Sequence, residues 1–149
     1  MESLKKYIAA QNLKAMIVGD IPFNCSILKS FFDKLGIDVI EIAQNGLEAY
    51  QKYLKYIEKG ERLDVVTMDL DMPVMSGKES ARRIRRVEME KRLKPCFLPI
   101  ISGNCSESEI SECISKNGNI RADEFIKKPA TVDELLRAIG IYFHSLEDE

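Results

Sequence analysis

Residues 63–77, LDVVTMDLDMPVMSG, constrain the fold more tightly than any other stretch of this 149-residue chain. Val65, Val66, Thr67 and Met68 form a short apolar and β-branched run that ends in two carboxylates, Asp69 and Asp71. Met72-Pro73 follows, which a helix interior does not tolerate. Such a run, bounded by a turn signal, reads as a buried strand, so the carboxylates fall where the backbone leaves the sheet. Ligands of open α/β sheets collect at that carboxyl edge.

The pattern recurs on both sides of this segment. Ala15, Met16, Ile17 and Val18 read as a first strand ending at Gly19-Asp20, and residues 37–43 as a second. Between them Pro22 and Asn24 introduce a helix with Ile27, Leu28, Phe31, Phe32 and Leu35 at helical spacing, closed by Gly36. Asn45-Gly46 opens another, with Leu47, Tyr50, Leu54 and Ile57 on one face; aromatics at this spacing read as core or its rim. Ser76 can cap a helix from about Lys78 that turns Ser80, Ala81, Ile84 and Val87 inward. Arg82, Arg83, Arg85 and Arg86 alternate with those apolar residues and read as a solvated face, and the charged tail at 88–94 as exposed.

A fourth strand is expected within residues 96–101, ending at Ser102-Gly103. Pro99 requires it either to begin there or to bulge, because an interior strand uses every N–H. A polar helix over 107–116 stops at Asn117-Gly118, and a fifth strand runs through Phe125 and Ile126 to Lys127-Lys128-Pro129. The last helix, from Thr131 to about His144, carries Val132, Leu135, Leu136, Ile139 and Phe143 inward and starts in a Thr131–Glu134 capping box. Residues 1–12 are polar and mildly helical, with Leu4, Tyr7 and Ile8 as a docking stripe of open role. Strands alternating with amphipathic helices imply one α/β domain with a parallel sheet covered on both faces. The expected division is an extension at 1–12, the domain at 13–144 and a tail at 145–149.

A formal net charge of −2 gives no electrostatic case for nucleic acid or a membrane surface. No apolar stretch is long enough to span a bilayer and no signal-peptide pattern is present, so a cytoplasmic protein is expected. Cys25, Cys96, Cys105 and Cys113 and the single His144 lack zinc-ligand spacing, and the cysteines read as reduced, mostly packing residues. The length leaves no room for a separate kinase or DNA-binding module.

The spacing D-x-x-M-P at residues 69–73, with Gly77 four residues past the proline, resembles the phosphoacceptor segment of response-regulator receiver domains, including those at the ends of hybrid histidine kinases. Asp20, then D-x-x-M-P, Ser102-Gly103 and Lys128-Pro129, each after a strand, appear in the receiver order, and the resemblance runs from about residue 13 to 143. It implies a flavodoxin-like (βα)5 sheet of order 2-1-3-4-5, the order that general fold rules give for the chemotaxis receiver. The ends of the first, third, fourth and fifth strands then lie side by side. Carboxylates a few ångströms apart repel by about 4 kcal/mol per pair at an effective dielectric near 20, which calls for a cation, and hard oxygen donors suit Mg²⁺ (or Mn²⁺).

The resemblance implies that Asp69 accepts the phosphoryl group, that Lys128 and Ser102 contact its oxygens, and that Asp20 and Asp69 ligate metal together with the main-chain carbonyl of Asp71. It also implies a cis Lys128-Pro129 bond. Ser102 and Phe125 occupy the switch positions, with the helix at 107–116, the fifth strand and the last helix as the face that changes. The partner implied is a histidine kinase or histidine phosphotransfer protein docking near Phe23 and Ile27. Two departures stand out: Gly19 replaces one of two adjacent acids usual at the first strand end, and Asp71 stands where an uncharged side chain is frequent, so that its carboxylate is expected to restore part of the lost charge, shift the metal shell and repel the water or hydroxide that would hydrolyse the phosphoaspartate. Gly19 is the best support for the alternative of a degenerate receiver acting as a binding module. A second alternative, a haloacid-dehalogenase-type phosphatase, fits Asp69-Leu70-Asp71 but not Met72-Pro73. A flavodoxin lacks support, because residues 19–24 hold no phosphate cradle.

Overall fold

The computed structural model describes residues 2–103 and 105–147. In chain order the elements are α1 (Glu2–Ala10), β1 (Lys14–Val18), α2 (Pro22–Leu35), β2 (Asp38–Ala43), α3 (Gly46–Glu58), β3 (Val65–Met68), α4 (Gly77–Glu90), β4 (Pro99–Ser102), α5 (Glu107–Ile114), β5 (Glu124–Lys127) and α6 (Val132–Glu147). The five strands are parallel in the order β2-β1-β3-β4-β5.

β3 and β4 are buried at every position, as expected of strands covered on both faces. Successive side chains alternate between two layers. Met16, Val18, Val66, Met68 and Ile100 pack with Ala49, Tyr53, Ala81, Ile84 and Cys113 on the side of α3, α4 and α5. Ala15, Ile17, Val65 and Ile101 pack with Ile8, Phe32, Leu35, Leu135 and Ile139 on the side of α1, α2 and α6.

Register aligns the strand ends. Val18 pairs with Met68, and Ser102 with Lys127. Main-chain bonds carry the pairing one residue further, Asp69 N donating to Val18 O (3.2 Å) and Lys128 N to Ser102 O (2.9 Å). β4 begins at Pro99, and the missing N–H leaves its ladder with β3 reduced to Met68–Ile100, with a separate parallel bridge between Val65 and Phe97 before the proline. Just upstream, the Leu98 N–H donates to the Asp123 carboxylate instead of a strand (2.8 Å).

The expected caps form. Gly36 closes α2 at φ 75°, Asn45 accepts from Glu48 N (2.8 Å), Ser76 from Glu79 N (3.3 Å), and Thr131 from Glu134 N (3.1 Å) while Glu134 Oε1 accepts from Thr131 N (3.1 Å). α6 runs three residues past His144 to Glu147; residues 148 and 149 of the expected tail lie outside the described residues.

Two expectations need correction. The buried stripe of α3 is Gly46, Ala49 and Tyr53, with Tyr50 and Ile57 at its border, because α3 packs closely on α4: Ser80 Oγ donates to Gly46 O (2.8 Å). And Arg85 and Glu88 are not part of a solvated face or an exposed tail, since their side chains are 3 % and 2 % exposed. The Arg85 guanidinium bonds Glu88 (2.9 Å), Asp123 (3.0 Å) and the carbonyls of Cys96, Ile120 and Arg121, while Glu88 Oε2 accepts from Tyr53 Oη (2.9 Å) and Cys96 N (2.8 Å). Burial of these charges is offset by near-complete pairing.

Candidate functional site

Asp69 is the first residue past β3, and its side chain is 13 % exposed. Its neighbour across the sheet edge is Lys128, whose Nζ lies 2.8 Å from Asp69 Oδ2 and thus engages one carboxylate oxygen and leaves the other for a further ligand. Ser102, at the end of the intervening β4, is buried, and its hydroxyl accepts a weak bond from Cys105 Sγ (3.7 Å). The Lys128-Pro129 bond is cis.

The loop after β3 is fixed by backbone chemistry. Gly77 N donates to Leu70 O (3.0 Å), and a Cβ on Gly77 would collide with the carbonyl oxygen of Asp69 itself. Glycine is therefore required where α4 begins, directly against the Asp69 main chain. Val74 holds φ 69° with Met75 N donating to Pro73 O (2.8 Å), a tight three-residue turn in a region costly for a β-branched residue. Met75 O in turn accepts from Gly46 N (3.0 Å), tying the loop to α3. Nothing in the sequence pattern marks Val74 as strained.

On the β1 side Asp20 is exposed, and Asp71 is exposed beyond β3. Cys25, buried at the start of α2, donates its thiol to Gly19 O (3.5 Å). Burial pushes this thiol up from its ordinary value, and the nearby Asp69 and Asp20 carboxylates push it the same way against Lys128. A Cβ on Gly19 would lie 3.3 Å from Cys25 Sγ, so the thiol borders the space that a side chain at position 19 would enter. Among the described residues no three His, Cys, Asp or Glu side chains cluster to hold a metal. The oxygen donors at these neighbouring strand ends are the carboxylates of Asp20 and Asp69. That set fits Mg²⁺, which commonly keeps several waters and takes one or two carboxylates. Phe125, on β5, is half-buried and packs against the α3–α4–α5 side of the core.

Exposed apolar side chains gather beside this edge. Ile21, Phe23 and Ile27 are 48 %, 72 % and 37 % exposed, and a groove of about 380 Å³ lined by Ile27, Leu28, Phe31, Lys128, Pro129 and Ala130 runs alongside. No helix among the described residues is long and apolar enough to cross a membrane.

Residues 15–140 match the family described as the response regulator receiver domain, and the chain belongs to that family. It is 32 % identical over 139 residues to hybrid signal transduction histidine kinase G of Dictyostelium discoideum, covering 93 % of this chain and 4 % of the kinase. It is 31 % identical over 127 residues to the chemotaxis protein CheY of Bacillus subtilis, covering 85 % of this chain and 94 % of CheY. Among solved structures, the CheX–CheY–BeF3–Mg²⁺ complex of Borrelia burgdorferi aligns with a TM-score of 0.75 at 27 % identity, over 88 % of this chain and 89 % of the other. The complex of the phosphotransfer protein Ypd1 with the receiver domain of Ssk1 from Saccharomyces cerevisiae aligns at 0.69 and 27 % identity, over 83 % of each chain. The chain is thus a receiver of two-component signalling with the flavodoxin-like topology, and not a haloacid-dehalogenase-type phosphatase.

Proposed function

We propose that Asp69 is the phosphoacceptor and takes its phosphoryl group from a phosphohistidine. The observation that carries this reading is the 2.8 Å pairing of Lys128 Nζ with Asp69 Oδ2 at the carboxyl edge, beside buried Ser102 on the next strand. A carboxylate oxygen of Asp69 attacks phosphorus in line, the P–N bond breaks, and its electron pair returns to the imidazole, leaving a mixed anhydride on the aspartate. Lys128 moves from carboxylate to phosphoryl oxygen as a point charge, and the Ser102 hydroxyl donates to a second oxygen. Asp20, Asp69 and the Asp71 carbonyl would hold Mg²⁺ (or Mn²⁺), which when bound neutralises the crowded carboxylate and phosphoryl oxygens. Ser102 drawn toward the phosphoryl group opens space that Phe125 fills, changing the α5–β5–α6 face.

The donor is a histidine kinase or phosphotransfer protein, docking on Ile21, Phe23 and Ile27 and the adjoining groove; the phosphotransfer complex among the structural neighbours supports this class of partner. The match to hybrid kinases supports a place within such a protein, although the chain spans only a few per cent of their length. Four free thiols suit the reducing cytoplasm, to which we assign it. Titration calorimetry with Mg²⁺ tests the site. Binding that is lost in Asp20→Asn supports the reading, whereas no binding by the unaltered chain would favour a phosphorylation-independent module.

A further inference from the structure

Helix α1 lies outside the residues that match the family, yet it is seated by two glycines. Gly140 sits buried inside α6, where glycine costs about 1 kcal/mol relative to alanine, and a Cβ there would strike Leu4 of α1 at 2.6–3.1 Å. Gly36, which ends α2, would place a Cβ 2.8 Å from Ala9 Cβ. Between these contacts Ile8 is fully buried among Leu35, Ile139 and Phe143, and Tyr7 Oη donates to Phe143 O (3.4 Å). The outward residues of α1, such as Ser3, Lys6 and Ala10, are exposed and include no large apolar side chain. α1 therefore fastens the C-terminal end of α2 to the C-terminal half of α6.

The same two helices flank the groove beside Asp69, through Ile27, Leu28 and Phe31 on α2 and through Pro129 and Ala130 leading into α6. α2 is a rigid rod of 14 residues, about 21 Å long, so a constraint at Gly36 is felt at Phe23. We propose that α1 is a brace that sets the spacing of α2 and α6, and so the width of the groove on which a phosphodonor protein docks. This rests on the docking surface assigned above. The brace predicts that loosening α1 weakens transfer from a protein donor and leaves the chemistry at Asp69 untouched.

Two variants test it: Gly140→Leu, which blocks the seat of Leu4, and the pair Leu4→Ala with Ile8→Ala, which removes the knobs. Phosphorylation by acetyl phosphate is expected to match the unaltered chain in both. With phospho-Ypd1 as the protein donor, the transfer efficiency is expected to fall about tenfold through KM rather than kcat. Amide exchange is expected to rise about fivefold at residues 23–31 and 130–135, which in the Leu4→Ala, Ile8→Ala pair lie away from the substituted helix. Exchange raised only at residues 2–12 and around Gly36 and Gly140, with unchanged protein-donor kinetics, would reduce α1 to a packing element and overturn the proposal. Failure of the unaltered chain to accept from acetyl phosphate would count against the Asp69 reading, and the exchange data would still decide the brace.

Discussion

Replacing Arg85 by methionine tests whether a buried charge network holds α4 to the sheet. The guanidinium neutralises Glu88 and Asp123 and satisfies three main-chain carbonyls, at the junction of α4 with the approaches to β4 and β5. Methionine fills similar volume but leaves Glu88, 2 % exposed, as a buried anion with only Tyr53 and Cys96 N–H as donors. Removing one partner of such a pair costs about 3–5 kcal/mol, because the other charge stays desolvated. For a domain of this size that corresponds to a fall in Tm of about 6–20 °C and a large part of a total stability of about 5–15 kcal/mol. Urea unfolding followed by circular dichroism reads the loss directly, with an unchanged m-value expected. The double variant Arg85→Met with Glu88→Met removes both charges, and its loss is expected to be smaller than the sum of the two single losses by more than about 1 kcal/mol. A loss below about 1 kcal/mol for Arg85→Met, or strict additivity, would refute the reasoning.

Further outcomes follow from the site and the core. Gly77→Ala is expected to cost about 1–3 kcal/mol in urea unfolding and to slow phosphorylation, since its Cβ has no room against Asp69 O; unchanged kinetics would show that the loop yields freely. Asp71→Asn is expected to weaken Mg²⁺ binding and shorten the phosphoryl lifetime by roughly fivefold each, about the effect of one exposed charge near the anhydride. Unaltered values of both would remove Asp71 from the metal and hydrolysis account. Burial pushes the Cys96 thiol and the Tyr53 hydroxyl up, with Glu88 adding to both. Below the ordinary thiol range both groups are protonated in folded and unfolded chains, so neither adds a pH dependence to stability there. Above about pH 9 the unfolded chain loses the Cys96 proton first, and past pH 10 that of Tyr53, so stability falls by about 1.4 kcal/mol per unit for each group. Cys96→Ala softens the first part of that fall, and a profile level to pH 11 would contradict the burial.

The sheet was legible chiefly because β1, β3 and β4 are short apolar runs followed at once by Gly19-Asp20, by Asp69 or ending in Ser102. Asp69 and Lys128, 59 residues apart in the chain, meet because a parallel sheet brings its strand ends together. Caps such as Ser76 and Thr131 follow from local hydrogen bonding alone. Arg85 and Glu88 were not legible. Helical periodicity sorts apolar from polar residues, and a charge is buried only when partners on other elements, here Asp123, Tyr53 and the Cys96 and Ile120 backbone, are in place. The same limit explains Tyr53, whose hydroxyl has its partner 35 residues away. The stripe of Leu4, Tyr7 and Ile8 is visible in sequence, but its seat depends on Gly36, which reads only as a helix stop, and on Gly140, which no motif singles out.

Intact mass after incubation with Mg²⁺ and acetyl phosphate, run beside Asp69→Asn, is the most direct test of the phosphoacceptor assignment. A single phosphoryl adduct that requires both the metal and Asp69 is the predicted result, despite Gly19. A folded chain with no adduct, or an adduct that persists in Asp69→Asn, would contradict it.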